Sequence, residues 1–316
     1  MRSYADHVTR ASSLALLLVL SAAPACAQQD QATGPSSTSP TPGTARATDS
    51  PAQMPTRPRT AADAARQIQD SLRIVEDTDA TPGQVALAGH AEQLAVREIS
   101  ARPRWLPRVL DRLDRSASRQ VRDNVAARLA FRSMHPSAVG ELADELPAWR
   151  ILPPPPARTL RAFYREAERR TGVDWEYLAA IHLVETAFGR IRGTSVAGAQ
   201  GPMQFIATTW DIYGNGGDIN DPRDAILAAG RLLRANGFAR DRAGALYRYN
   251  NSSAYVRGVT LHARVMQRRP RAFLGYHGWQ VYYLTQRGSV WLAEGYASRR
   301  PVPVDRYLER HPEALQ

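Results

Sequence analysis

The sequence predicts a mainly α chain, on three observations. Apolar residues recur at spacings of three and four in WLPRVLDRLDRSASRQVRDNVAARLAF, where Leu106, Val109, Leu110 and Leu113 share a helical face. A dense series of helical segments runs from about Ala157 to about Arg269. Starting signatures stand where such segments open: Asp174 ahead of WEYLAAIHLVETAFG, and Asp221-Pro222 ahead of RDAILAAGRLLRANG.

The elements follow in chain order. Residues 1–27 combine a short charged start (Arg2, Arg10), the apolar run ASSLALLLVLSAA and a small-residue site ending Ala25-Cys26-Ala27, the layout of a secretory signal peptide. The protein is therefore expected to be exported, to the cell envelope or the extracellular space. Its single cysteine, Cys26, lies in that segment, so cleavage after Ala27 leaves no thiol for disulfides. A second reading makes APAC a lipobox and Cys26 a lipid anchor. Residues 28–60 are Pro, Ser, Thr, Ala and Gly with few large apolar side chains, which predicts a disordered tether. Residues 61–150 read as accessory helices broken by prolines and carry no visible chemistry. LPPPP at 152–156 is a stiff extended boundary that opens the main helical domain, 151–270. The remainder, 271–316, is rich in aromatics (Phe273, Tyr276, Trp279, Tyr282, Tyr283, Trp291, Tyr296) and is expected to pack on the core rather than form a separate binding face.

The net charge of +11 comes wholly from arginine, since the chain has no lysine. A field of that sign favours anionic partners. With export, these are anionic wall polymers or a membrane surface and not nucleic acid; the bland alternative is a solvated arginine surface.

Chemistry concentrates around LVETAFGRIRGTSVAGAQGPMQFI at 183–206. A helix starting at Trp175 places Leu178, Ile181, Glu185 and Phe188 on one face, with Val173 and Leu178 as a hydrophobic staple. A carboxyl group on a core-facing position resists ionisation, so its pKa rises, to roughly 6 in comparable glycosidase acids. That suits Glu185 to protonate a leaving glycosidic oxygen. The alternative is a structural Glu185 paired with Arg190 or Arg192. In the following loop Gly198 and Gly201 suit positive-φ turns, and Pro202 is expected to open a helix running PMQFIATTWDIYG. A Tyr249-Asn250 pair closes a later helix, and an aromatic hydroxyl beside an amide suits a carboxylic acid and a sugar N-acetyl group.

From about Ala157 to Val265 the chain resembles the lytic transglycosylases, lysozyme-like enzymes that cleave bacterial peptidoglycan. The resemblance rests on ETAFGR at 185–190, SVAGAQGPMQF at 195–205 and ALYRYN at 245–250. It implies a lysozyme-like helical catalytic domain, Glu185 as catalytic acid and base, Ser195 and Gln204 in contact with the glycan, and Tyr249 and Asn250 orienting the acid and the N-acetylmuramic acid unit. The chain departs from many relatives at Pro202, where Leu is usual, and at Asn251, where Gly is frequent.

Other chemistries are poorly supplied. The seven histidines are dispersed without metal-ligand spacing, and His182, one turn before Glu185, could tune the acid or simply pack. GNGGDIND at 214–221 lacks the spacing and terminal Glu of a calcium loop and reads as a turn plus helix cap. No GxSxG motif stands out. No metal or cofactor is expected. Only one carboxylate is well placed, where a glycosidase normally uses two, and the resemblance implies cleavage of the MurNAc-GlcNAc β-1,4 bond by the substrate's own C6 hydroxyl, giving 1,6-anhydroMurNAc ends. A hydrolysing muramidase using Asp218 or Asp221 as second acid, and a non-catalytic wall-binding protein, are the alternatives.

Overall fold

The computed structural model describes residues 54–135, 138–195 and 197–316. The expected signal peptide, Cys26 and the tether up to residue 53 lie outside the described residues. Residues 54–60, expected within the tether, lie on the body: Met54 packs against an apolar cluster, and the Arg57 guanidinium donates to Glu98 Oε1 at 2.5 Å. A tether composition leaves these few side chains free to dock wherever partners exist.

The described chain is mainly helical. Thr60 caps α1 (Ala61–Glu76), and a reciprocal Thr81/Gln84 capping box opens α2 (Pro82–Ala101). The periodic run read as accessory helices forms α3 (Trp105–Leu110) and α4 (Arg115–Arg132). Asp114 accepts from the N–H groups of Ser116 and Ala117 and starts a new helix, leaving Leu113 in the turn. Ile68, Leu72, Val96, Ile99, Val109 and Val121 close the core of this four-helix layer.

Next come β1 (Glu145–Leu146), β2 (Arg150–Ile151), the extended proline run, and α5 (Ala157–Thr171), which ends at Gly172 in the left-handed region. Then follow α6 (Trp175–Thr186), β3 (Ile191–Arg192), α7 (Ala207–Tyr213), α8 (Pro222–Ala235), α9 (Arg242–Tyr249) and α10 (Ser253–Arg268). The chain closes with α11 (Ala272–His277), β4 (Val281–Thr285), β5 (Gly288–Leu292), β6 (Val302–Pro303) and α12 (Val304–Leu308).

The main core joins Leu160, Trp175, Leu178, Ile181, Phe188, Ile226, Leu233, Val259, Phe273 and Tyr276, so it continues past residue 270 into α11. α6 lies at its centre, touched by α5, α8, α10 and α11. A single apolar face was the sequence expectation; Leu178 to His182 are all fully buried, because neighbours surround the helix on every side. The aromatic C-terminal segment packs as expected. Val281, Tyr283, Val290 and Leu292 of the β4–β5 hairpin cluster with Trp149 and Ile151, while β6 pairs with β1 and β2 with β3. Among the described residues no helix is long and apolar enough to cross a membrane.

Candidate active site

α6 begins at Trp175 as the sequence indicates, but its cap differs. Asp174 pairs with Arg242 at 2.7 Å, and the Trp175 N–H donates instead to Glu168 Oε1 at 3.1 Å. Tertiary partners thus replace the local cap. Val173 and Leu178, the staple residues, are both fully buried.

Past its last turn the chain does something unusual. Ala187, Phe188 and Gly189 have φ of 50°, 63° and 81°, three consecutive residues in the left-handed region. Two of them carry side chains, and such conformations persist only where the surroundings enforce them. The Phe188 ring does this: it is fully buried, edge-on to Phe273 and His182. The reversal leaves Glu185 at the end of a rigid, buried helix.

Glu185 is 5% exposed, and the Tyr255 hydroxyl donates to its Oε1 at 2.8 Å. Burial pushes the carboxyl group up from the ordinary range to about 8, and the Tyr255 hydrogen bond offsets only part of that. The acid is therefore protonated at neutral pH, more firmly than the value of roughly 6 expected by analogy. The structural alternative is not realised: among the described residues Glu185 makes no ion pair. Arg190 pairs with Glu294 and donates to the His277 carbonyl at 3.0 Å, while Arg192 lies on β3.

His182 does not reach the acid. Its Nδ1 is 2.7 Å from the Tyr164 hydroxyl, and burial pulls its pKa down to about 3, so the ring is neutral. It shapes the core beside Glu185 by packing.

The loop after β3 is tied at Pro202 and Met203 to the acid's surroundings. Thr186 Oγ1 donates to the Pro202 carbonyl at 2.6 Å, and the Tyr249 hydroxyl to the Met203 carbonyl at 2.7 Å. Gln200 and Phe205 exchange backbone hydrogen bonds across the loop at 2.8 and 2.9 Å. Gly198 and Gly201 sit at φ of 79° and 72°, as their positions suggested. The helix expected from Pro202 is absent; Gly201 to Gln204 form turns, and the helix starts at Ala207. The two side-chain bonds hold the carbonyls of Pro202 and Met203, and Gln204, at φ 50°, cannot sit in a right-handed helix.

Ser195, Gln204, Tyr249 and Asn250 are all buried. The Ser195 hydroxyl accepts from the Ala199 N–H at 3.0 Å, and Gln204 Nε2 donates to the Gly201 carbonyl at 3.0 Å, so both brace the loop. Asn250 caps the end of α9. Tyr249 stands parallel to Tyr255 at 6.3 Å between ring centres, but its hydroxyl serves the loop. The hydroxyl on Glu185 comes from Tyr255, which the sequence reading passed over. The available signal was its place on α10, where Tyr255, Val259 and His262 repeat inward at helical spacing.

Replacing Gly201 by Ala is expected to cost at least about 1–2 kcal/mol of stability, since its φ of 72° is left-handed and a Cβ would run into the Ile219 carbonyl. A urea melt checks this; an unchanged midpoint would show that the loop relaxes without cost.

Asp218 and Asp221, the possible second acids, hold backbone. Asp218 accepts from the Asn220 N–H at 2.8 Å, and Asp221 caps α8 through the Asp224 N–H at 3.0 Å. The turn-plus-cap reading of this segment describes what is seen there.

Over 74 residues, 23% of its length, the chain is 36% identical to a membrane-bound lytic murein transglycosylase F from Thiobacillus denitrificans. The match spans 15% of that relative's length. No family model and no solved structure matches the chain.

Proposed function

We propose that the protein is a lytic transglycosylase that cleaves the MurNAc-GlcNAc β-1,4 bond of peptidoglycan and leaves 1,6-anhydroMurNAc ends. The observation that carries this reading is the buried Glu185, its pKa raised by burial to about 8, held by Tyr255 and making no ion pair among the described residues. The partial similarity to a lytic murein transglycosylase agrees with it. On this reading the protein is an exported envelope enzyme whose partner is the peptidoglycan glycan strand.

In the first step Glu185 gives its proton to the glycosidic oxygen as the C1–O bond breaks. The substrate's N-acetyl oxygen bonds to C1 and takes up the developing positive charge. Glu185 is then a carboxylate, and Tyr255 already donates to Oε1, so the new charge meets a positioned hydrogen bond. In the second step the carboxylate accepts the proton of the C6 hydroxyl, O6 bonds to C1, and the N-acetyl oxygen leaves. Glu185 is restored and no water is consumed. A tethered hydroxyl has a large effective concentration, which favours it over solvent when no second acid activates water. Ser195, Gln204, Tyr249 and Asn250 are assigned to the glycan-facing wall.

Digesting purified peptidoglycan and weighing the fragments by mass spectrometry tests the reaction. Muramic ends lighter by one water and resistant to borohydride are expected. Reducible, hydrated ends would make the protein a muramidase, and no soluble product would make it a wall-binding protein.

A further inference from the structure

A cavity of about 290 Å³ lies between α2, α4, the end of α6, the middle of α10 and the β4–β5 hairpin. That volume suits one small group rather than a run of sugars. Its charge is one-sided: Arg97, Arg128 and Arg132 line it, and no Asp or Glu does among the described residues.

Among the described residues neither Arg97 nor Arg128 makes an ion pair. Arg97 is 9% exposed, its guanidinium lies 3.9 Å from the Tyr282 ring centre, and it makes no ion pair among the described residues. The nearby Glu98 is taken by Arg57 and Arg102. Burial and the charge of Arg128 push Arg97 well below the ordinary arginine range, and Arg128 is likewise lowered, by burial and then by Arg132. Each cation is thus raised in energy by a neighbouring arginine, Arg97 by Arg128 and Arg128 by Arg132, and Glu98 offsets only part of this. The Trp279 indole N–H in the wall is also buried, with no partner among the described residues. A buried donor without an acceptor and two crowded cations without an ion pair of their own are both costly, and an anion entering the cavity relieves them together.

The cavity adjoins the proposed active site. Phe131, in its wall, packs on Gly258, one turn along α10 from the Tyr255 that holds Glu185. His262, also in the wall, is seven residues past Tyr255, about 10 Å of helical rise. An extended peptide covers about 3.3–3.6 Å per residue, so that separation is roughly three residues. On the glycan the group that leaves the sugar backbone and carries carboxylates is the peptide stem of the muramic acid unit. Guanidinium forks match carboxylates in geometry, and the aromatic wall of Trp149, Trp279 and Tyr282 suits the apolar parts of a peptide.

We infer that this arginine-lined cavity binds a carboxylate of the peptide stem carried by the glycan that Glu185 cleaves, an assignment that rests on the proposed function. The enzyme then prefers stem-bearing strands over bare glycan.

The test uses the full chain with two substrates: stem-bearing glycan strands, and strands stripped of stems by an amidase. Arg128→Gln, at a half-exposed position, and Arg97→Gln are each compared with the unaltered protein, with circular dichroism as the fold check. The unaltered protein is expected to prefer stem-bearing strands by at least about tenfold in kcat/KM. Each variant is expected to lose that preference through KM on stem-bearing strands alone. Equal turnover of both strands, or a preference that survives both substitutions, would overturn the inference. Direct titration with a soluble muramoyl tetrapeptide, and with its fully amidated form, separates the two proposals. Arginine-dependent binding of the free-acid form by a chain that cleaves neither strand would sink the enzymatic reading and leave the cavity assignment standing. Equal binding of the amidated form, or of inorganic phosphate, would reject the stem carboxylate as the occupant.

Discussion

Replacing Glu185 by Gln is expected to abolish lysis of purified cell walls, with a loss of about 10²–10⁴-fold or more, while helix content stays unchanged. The amide is nearly isosteric and can still accept from Tyr255, but it has no proton to give the leaving oxygen and no carboxylate to take one from O6. Retained lysis would remove Glu185 from its role. The same substitution carries a signature in stability. A carboxyl group raised from 4.5 to about 8 on folding binds its proton more tightly in the folded chain. Its contribution is therefore fully present below about pH 4.5 and is lost as pH rises through about 8. The unaltered protein should lose thermal stability between pH 5 and 9 by more than the Gln variant does, by an amount on the order of a few kcal/mol. Parallel melting curves for the two proteins across that range would show that Glu185 is not buried as described. The activity of the unaltered enzyme should fall on the alkaline side near pH 8, where the acid loses its proton.

Replacing Tyr255 by Phe is expected to lower kcat by roughly 10–100-fold, the worth of a hydrogen bond to a charged group. The bond matters most after proton donation, when Glu185 is a buried carboxylate without a cation. Its direction on the pKa is fixed as well. Tyr255 lowers the Glu185 value and burial raises it, so removing the hydroxyl leaves burial unopposed. The alkaline limb of the pH–rate profile should then move to higher pH. Tyr249→Phe provides the contrast, because the Tyr249 hydroxyl serves the Met203 carbonyl. It should loosen the loop and leave the alkaline limb in place. A shift with Tyr249→Phe and none with Tyr255→Phe would reverse the assignment of the two tyrosines.

Much of the frame was legible in the residues themselves. Helical spacing and cap chemistry act over a few residues, so the start of α6 at Trp175, the Asp221-Pro222 opening of α8 and the end of α9 at Tyr249 could be read directly. So could the burial of Glu185, since a carboxylate in an apolar helical run is conspicuous, and the positive φ of Gly198 and Gly201. Local rules failed where a distant group competed for the same backbone. Asp174 turned to Arg242, and the helix expected at Pro202 gave way because Thr186 and Tyr249 took its carbonyls. The hydroxyl that holds the acid was decided only by packing. Tyr249 and Tyr255 stand parallel on neighbouring helices, and the approach of α10 to α6 determines which of them meets Glu185, a choice between residues 64 and 70 positions away in the chain. The arginine cavity is of the same kind. Its walls come from residues 93 to 289, each unremarkable where it stands, and only the folded chain brings them together without a carboxylate among them.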